Sequence, residues 1–303
     1  MEKNKLKCAL IGYGYWGKII ERYIKKNPSY ELMAICDPQY PNSETLQNIL
    51  TNELIQAVFV CSPIATHYDV VKSALEHGKH VFCEKPLTSY FNQAKDLVEL
   101  AQKNRLCLYT DYIYTVSPSI NYVKEKIADI GPILRIEGEI RQLGKFYTND
   151  CVEDVLGVHL ISSVIYILGI ANDIEVKSYK CIRKQGNNIL ESEFELSIPS
   201  VEHSHFLCSL VSETKTRKLL ITGVRGILSF DMLGEFTANY IELTELGLGY
   251  DIKQEKKVYF DESNNVSGAL LKFGESIESG NGGNPIMTMA VANVLDKLNV
   301  YKE

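Results

Sequence analysis

The residues best placed to do chemistry lie at three points of the chain. The first is the run Gly12-Tyr13-Gly14-Tyr15-Trp16-Gly17, which follows a short apolar stretch, Leu6 to Ile11, and opens a helical pattern. A G-x-G-x-x-G run between a strand and a helix makes a phosphate cradle. Gly12 permits the tight turn, Gly14 lets the backbone approach a pyrophosphate, and Gly17 lets the helix pack closely on the strand. The helix N-terminus adds unpaired N–H groups and the positive end of its dipole. Asp37 stands 20 residues after Gly17, at the end of the second apolar run. A carboxylate there binds ribose hydroxyls. It also repels a 2′-phosphate, and no arginine adjoins it, so the expected cofactor is NAD, with NADP less favoured.

The second point is Glu84-Lys85-Pro86, at the end of the fourth apolar run. Ligands of open α/β sheets bind at the carboxyl ends of strands. A lysine at that end of the sheet can donate to a bound ligand. The competing reading is a solvated surface lysine. The third point is His159, in Leu156-Gly157-Val158-His159 near the start of a helical stretch. Imidazole, with an ordinary pKa of about 6.5, suits proton transfer; a capping or core histidine is the alternative. His203-Ser204-His205 puts two imidazoles on one side of a strand, but no third ligand of suitable spacing stands out, so no metal is expected.

These points need a scaffold, and the sequence supplies one. Apolar runs at Leu6–Ile11, 32–36, 57–61, 80–83 and 106–109 alternate with helical stretches at about 16–26, 43–50, 67–77 and 92–104. Such alternation implies βαβ units and a parallel sheet. Past Tyr114 the pattern changes. Ser117-Pro118 starts a helix as cap and first position, a strand runs from Ile133 to Arg141, and a helix from Val155 to Leu168. Strand-like segments then follow one another at about 174–183, 190–198, 205–212, 217–223, 226–231 and 238–245, before two helices near 266–279 and 286–299. The expectation is an α/β chain of two domains. An NAD-binding Rossmann domain at 1–116 precedes an α+β domain at 117–303 with an open, mostly antiparallel sheet.

Composition narrows the partners. The chain has 303 residues, is 45% hydrophobic and 23% charged, and carries a net charge of −6, which disfavours nucleic acid and anionic membrane surfaces. No apolar run approaches the roughly 20 residues needed to span a bilayer. The eight cysteines form no C-x-x-C pair and read as buried free thiols of a cytoplasmic protein.

The glycine motif, Ser62-Pro63-Ile64-Ala65-Thr66-His67 after the third strand and Glu84-Lys85-Pro86 together resemble the glucose-fructose oxidoreductase, inositol dehydrogenase and rhizopine catabolism (Gfo/Idh/MocA) family. The resemblance implies an NAD-dependent oxidoreductase that moves hydride at the hydroxyl or keto carbon of a sugar, nucleotide sugar or cyclitol. It nominates Lys85 and His159 as catalytic. Cofactor contacts would come from Gly12, Tyr13, Gly14, Tyr15, Trp16, Gly17, Asp37, Ser62, Pro63, His67, Glu84 and Lys85. Substrate contacts would come from Lys85, Tyr112, Arg141, Lys145 and His159, with Tyr114 a further aromatic candidate. Members often form dimers or tetramers, so a homo-oligomer is expected. The family's D-x-x-x-H segment has Val155 where the aspartate belongs, with Asp154 one position early. On an α-helix that slip turns the side chain by about 100°. The departure keeps a second reading open, a non-catalytic NAD-binding regulator or partner subunit.

Overall fold

The computed structural model describes residues 5–144, 151–246 and 249–302. The chain divides into two compact units, Met1–Tyr112 with Asn264–Ala292, and Ile113–Ser263 with Asn293–Glu303.

The first unit begins β1 (Leu6–Ile11), α1 (Tyr15–Lys26), β2 (Tyr30–Cys36), α2 (Leu46–Thr51), β3 (Ala57–Val60), α3 (Ile64–Glu76), β4 (His80–Glu84), α4 (Phe91–Lys103) and β5 (Leu108–Asp111). The strands form one sheet in the order β2-β1-β3-β4-β5, every pair parallel. All four residues of β3 are buried, as expected of a strand covered on both faces. The order reverses between β1 and β3, which sets the crevice for a ligand at the carboxyl ends of those strands. Two local expectations change. The helix expected from about residue 43 starts at Leu46, capped by Thr45, which accepts from the Asn48 N–H, while the Ser43 hydroxyl oxygen accepts from the Asp37 N–H at 2.9 Å. The fifth strand lies two residues later than its apolar run, because the Leu106 N–H is still bonded to the Ala101 carbonyl behind α4. That shift carries Thr110 and Asp111 into the sheet.

The second unit starts with α5 (Pro118–Lys126), capped by the Ser117 hydroxyl, then β6 (Ile133–Leu143). A π-helical turn at Glu153–Gly157 runs into α6 (Val158–Leu168), which Gly169 ends in the left-handed conformation. Seven strands follow, β7 (Glu175–Gln185), β8 (Asn188–Ser197), β9 (Val201–Ser209), β10 (Val211–Gly223), β11 (Gly226–Asp231), β12 (Ala238–Leu246) and β13 (Gly249–Val258). The sheet order is β13-β12-β11-β10-β6-β9-β8-β7, antiparallel except for the β6–β9 pair. The fold class expected from sequence is therefore the one observed. β13 has no hydrophobic signal because nearly all its residues are exposed; pairing with β12 alone defines it.

Alternation along β6, β9 and β10 sends Ile136, Ile140, Phe206, Cys208, Leu219 and Ile221 inward. The opposite face carries the pairs Arg135–Glu137, Arg141–Glu139, Lys180–Glu193 and Lys218–Asp231. This face of the sheet is thus laced with ion pairs. No helix among the described residues is long and apolar enough to cross a membrane.

The chain closes with α7 (Asn265–Ser279) and α8 (Pro285–Asn299). Phe273 of α7 is fully buried and meets Phe59, Phe82 and Tyr109 of the parallel sheet, ring centroids 5.5, 5.6 and 6.3 Å away. Asn284 clamps β5, accepting from the Thr110 N–H and donating to the Thr110 carbonyl, both at 2.8 Å. The first unit thus depends on a segment about 150 residues downstream of its last strand. Phe273→Ala should destabilise it by about 3–5 kcal/mol, measurable as a lowered urea midpoint in an otherwise native-like spectrum.

Candidate cofactor and catalytic site

The glycine run sits where β1 ends. Gly12 has φ of 91°, and a Cβ there would lie 2.5 Å from the Ser62 N and 2.6 Å from the Cys61 carbonyl oxygen. Only glycine allows that approach of β1 to the end of β3. A Cβ at Gly17 would overlap the Gly12 carbonyl oxygen, so α1 also leans on its own turn. Gly14 differs, because a Cβ there meets nothing within 4 Å. It precedes the first residue of α1, has no side-chain cap, and leaves the N–H groups of the first turn facing open space with Tyr15 and Trp16 exposed. Asp37 closes one side of this cradle. Its Oδ2 accepts from the Tyr13 N–H at 2.7 Å and its Oδ1 from the Gln39 N–H at 2.8 Å. Each oxygen keeps a lone pair for a further donor. The Tyr13 ring packs edge-on against Tyr40, and its hydroxyl donates to Glu21 at 2.6 Å.

The loops after β3 and β4 are tied together by His67. Its ring, 1% exposed, reaches the Pro86 carbonyl through Nδ1 and the Ser62 carbonyl through Nε2, both at 2.9 Å. Burial holds its pKa below the ordinary range. His67 is thus a strut between two loops. The Ser62 and Thr66 hydroxyls bond each other at 2.7 Å, and Pro63 begins α3 beside them. The Lys85–Pro86 bond is cis.

Glu84 ends β4, and in register beside it, at the end of β5, is Asp111. Both are buried, 7% and 2% exposed, and Oε1 of Glu84 and Oδ1 of Asp111 have no hydrogen-bond partner among the described residues. Burial raises both carboxyl pKa values; the Glu84 charge raises Asp111 further, and the Lys85 ammonium opposes both shifts. Sequence reasoning missed Asp111. Its signal was an acidic residue one strand over from Glu-Lys-Pro, hidden by placing the strand two residues early. Tyr112, expected to face substrate, is 2% exposed and hydrogen-bonded to Thr288 and Thr110, a core position.

In the second unit the His159 ring stacks on Tyr114, centroids 4.7 Å apart and planes 28° from parallel. Buried Tyr114 is hydrogen-bonded to Arg217. Arg217, 9% exposed, points inward from β10 and donates to the Arg141 carbonyl at 3.0 Å and to the Gln142 side chain. The Arg141 side chain turns to the outer face and pairs with Glu139. The inward arginine of this sheet is therefore Arg217, which strand alternation could have revealed. Lys145 lies outside the described residues.

The π-helical turn changes the reading of the missing aspartate. The Val158 N–H reaches back five residues to the Glu153 carbonyl, so one extra residue is taken up before His159. The swing of about 100° expected for an uninterrupted α-helix does not apply to Asp154. Its carboxylate takes the Lys302 ammonium at 3.1 Å. Glu153, fully buried beside it, accepts from Tyr179 at 2.8 Å and from Ser192 at 2.5 Å.

The residues fit a dinucleotide. The helix N-terminus with an open Gly14 suits a pyrophosphate, Asp37 suits a ribose diol, and Lys85 stands at the carboxyl end of β4 in the same unit. Among the described residues, no group of three or more His, Cys, Asp or Glu side chains gathers to hold a metal.

Residues 6–112 match the GFO_IDH_MocA family model, described as an oxidoreductase family with an NAD-binding Rossmann fold. Among curated proteins, a 2,7-anhydro-N-acetylneuraminate hydratase from Mediterraneibacter gnavus is 28% identical over 42% of this chain and 37% of its own length. A D-glucoside 3-dehydrogenase from Escherichia coli is 25% identical over 68% of this chain and 67% of its own. The first relatives are thus matched over well under half their length. Among solved structures, a 3-ketoreductase from Actinomadura kijaniata in complex with TDP-benzene and NADP superposes with a TM-score of 0.82 at 18% identity. It covers 97% of this chain and 96% of that one. At that identity the likeness is one of fold.

Two measurements test this site. Gly14→Val should leave the melting temperature within about 2 °C yet weaken dinucleotide binding at least tenfold by calorimetry, since the side chain enters space left for phosphate. The raised carboxyl pKa values mean the folded chain holds more protons than the unfolded chain above about pH 4. Stability should therefore fall as pH rises from there toward the elevated folded values, by about 1.4 kcal/mol per pH unit for one retained proton. Asp111→Asn should flatten that slope in denaturant titrations run at successive pH values.

Proposed function

We propose, from the premise that this chain belongs through residues 6–112 to the Gfo/Idh/MocA oxidoreductase family, that it is an NAD-dependent oxidoreductase. It transfers hydride at a hydroxyl- or keto-bearing carbon of a sugar, nucleotide sugar or cyclitol. The observation that carries the reading is the open side of Gly14, with Asp37 at the end of β2 and Lys85 at the end of β4 of the same sheet. Of the relatives named above, the D-glucoside 3-dehydrogenase is by its name a dehydrogenase of a glucoside, and the 3-ketoreductase by its name reduces a ketone.

When bound, the nicotinamide supplies the hydride acceptor or donor. The chain's own residues do the rest. First-turn N–H groups of α1 hold the pyrophosphate, and Asp37 accepts from the adenosine ribose hydroxyls. A 2′-phosphate in that place would meet the Asp37 charge, which favours NAD over NADP. Lys85 donates from Nζ to the substrate oxygen and steadies charge on it. His159 exchanges the hydroxyl proton through its ring, its plane held by Tyr114, which Arg217 anchors in turn.

A second reading, an NAD-binding module without turnover, draws on the Asp154–Lys302 ion pair, which already engages the carboxylate nearest in sequence to the family's aspartate position. One experiment separates the two. The purified protein is offered NAD and NADP with a panel of sugars, nucleotide sugars and cyclitols, while absorbance of the reduced nicotinamide is followed. Turnover that Lys85→Ala or His159→Ala lowers by about 10²-fold or more, without loss of NAD binding, supports the enzyme. NAD binding with no turnover across the panel supports the second reading. Failure of either dinucleotide to bind folded protein overturns both.

A further inference from the structure

Helix α8 ends at Asn299, and the residues that follow it reach the π-helical turn that precedes His159. Tyr301 and Lys302 continue in a turn, their N–H groups bonded to the Leu298 and Asn299 carbonyls at 3.1 and 3.0 Å. The Tyr301 ring stacks on Tyr179 of β7, centroids 5.8 Å apart. The Lys302 carbonyl accepts from Lys184 of the same strand at 3.3 Å. So held, the Lys302 side chain is only 12% exposed, and its ammonium meets two consecutive carboxylates of the turn. It donates to Asp154 Oδ2 at 3.1 Å and lies 3.6 Å from Glu153 Oε2.

Burial works against the charge of Lys302, yet Asp154 and Glu153 outweigh it and hold its pKa above the ordinary range. Glu153 is fully buried. Its Oε1 accepts from the Tyr179 and Ser192 hydroxyls, and its Oε2 has no hydrogen-bond donor among the described residues. A buried carboxylate needs an opposite charge, and Lys302 supplies one. Consecutive residues of a helix do not share a face. An ammonium that engages two of them at once therefore fixes the turn about its own axis. Contact fixes another part of the turn, since a Cβ on Gly157 would lie 3.3 Å from the Cys208 sulfur of β9. Helix α6 starts at Val158, the next residue, so the orientation of the turn passes directly to His159. The imidazole of His159 lies stacked on Tyr114, and its carbonyl accepts from the Ser162 and Ser163 hydroxyls at 3.1 and 2.7 Å.

We propose that Lys302 is a positioning residue for His159. By bridging Glu153 and Asp154 it sets the rotation of the π-helical turn, and so the lie of the imidazole against Tyr114. The consequence for catalysis rests on the proposed function; the placement of the ring does not, and it is measured without substrate or cofactor.

The test compares Lys302→Met, which keeps an apolar stem and removes the charge, with Lys302→Arg, which keeps a cation. Ring resonances of ¹³C-labelled histidine are followed by NMR. The chain has six histidines, and His159→Gln identifies the one of interest. Tyr114→Leu gives its position without the stacked ring, so the difference from the wild-type chain is the shift that stacking produces. Lys302→Met should lose most of that shift and Lys302→Arg should keep most of it. A residue that only stabilises the fold would leave the resonance of the folded chain in place. An unmoved His159 resonance in folded Lys302→Met therefore overturns the proposal, as does equal loss of the shift in both variants. Should Lys302→Met fail to fold, Lys302→Met with Glu153→Gln removes the stranded charge as well. That chain should fold and lack the shift, and a wild-type shift in it overturns the proposal. Where the wild-type chain turns over, kcat should fall about ten- to hundredfold in Lys302→Met with NAD affinity unchanged, and recover in Lys302→Arg. An unchanged kcat overturns the role in catalysis. A chain with the expected resonances and no turnover keeps the positioning and loses only the enzyme reading.

Discussion

The approach of Gly12 to the end of β3 is the constraint from which the nucleotide site follows. The contact leaves no room for a Cβ and demands a backbone conformation that other residues adopt rarely. Once the chain turns there, α1 must start at Tyr15 with its first N–H groups turned outward. The Tyr13 N–H falls within reach of Asp37 Oδ2. One steric fact at one glycine thus fixes the direction of the helix dipole, the carboxylate at the ribose position and the spacing between them. The other two glycines depend on it: Gly17 because α1 lies against the same turn, and Gly14 because the opening is useful only where the dipole already points.

Much of this was legible because it is local. Leu6–Ile11 is the strand the sequence pattern outlines, and the helices after β1, β3 and β4 begin within a few residues of the expected positions. What was illegible depends on distant partners. The fifth strand starts late because the Leu106 N–H still closes the turn behind α4, and it runs on through Asp111 with Leu108 and Thr110 bonded to Gly282 and Asn284, far along the chain. No window around residue 108 contains that information, and the displacement brings Asp111 level with Glu84. β13 was unreadable for a different reason. Nearly all its residues are exposed, and only the hairpin to β12 makes it a strand.

In the second unit, the sequence directed attention to Arg141 and away from Arg217. Pleat geometry explains the reversal. Residues 135, 137, 139 and 141 of β6 share the outer face, where their charges are paired along the strand. Arg217 belongs to the inward set with Leu219 and Ile221. A buried guanidinium persists only with its donors satisfied, and the Arg141 carbonyl, the Gln142 amide and Tyr114 supply the partners. The inserted residue before His159 follows a similar logic. A π-helical turn accommodates an extra residue without breaking the helix, and such turns are frequent at functional sites.

Glu84 and Asp111 raise a question of cost. A pair of well-packed apolar residues at the ends of β4 and β5 would be expected to make the sheet more stable, because each buried carboxyl brings a desolvation penalty that a neutral side chain avoids. The neighbouring strand ends show the alternative: β3 finishes on Val60, and the rest of β4 is His80, Val81, Phe82 and Cys83. The acids stand only where the strands meet Lys85. An arrangement that weakens the fold at one edge, next to a cation at the ligand-binding end of the sheet, is what a site tuned for charge requires. A site tuned for stability would have filled the same space with valine.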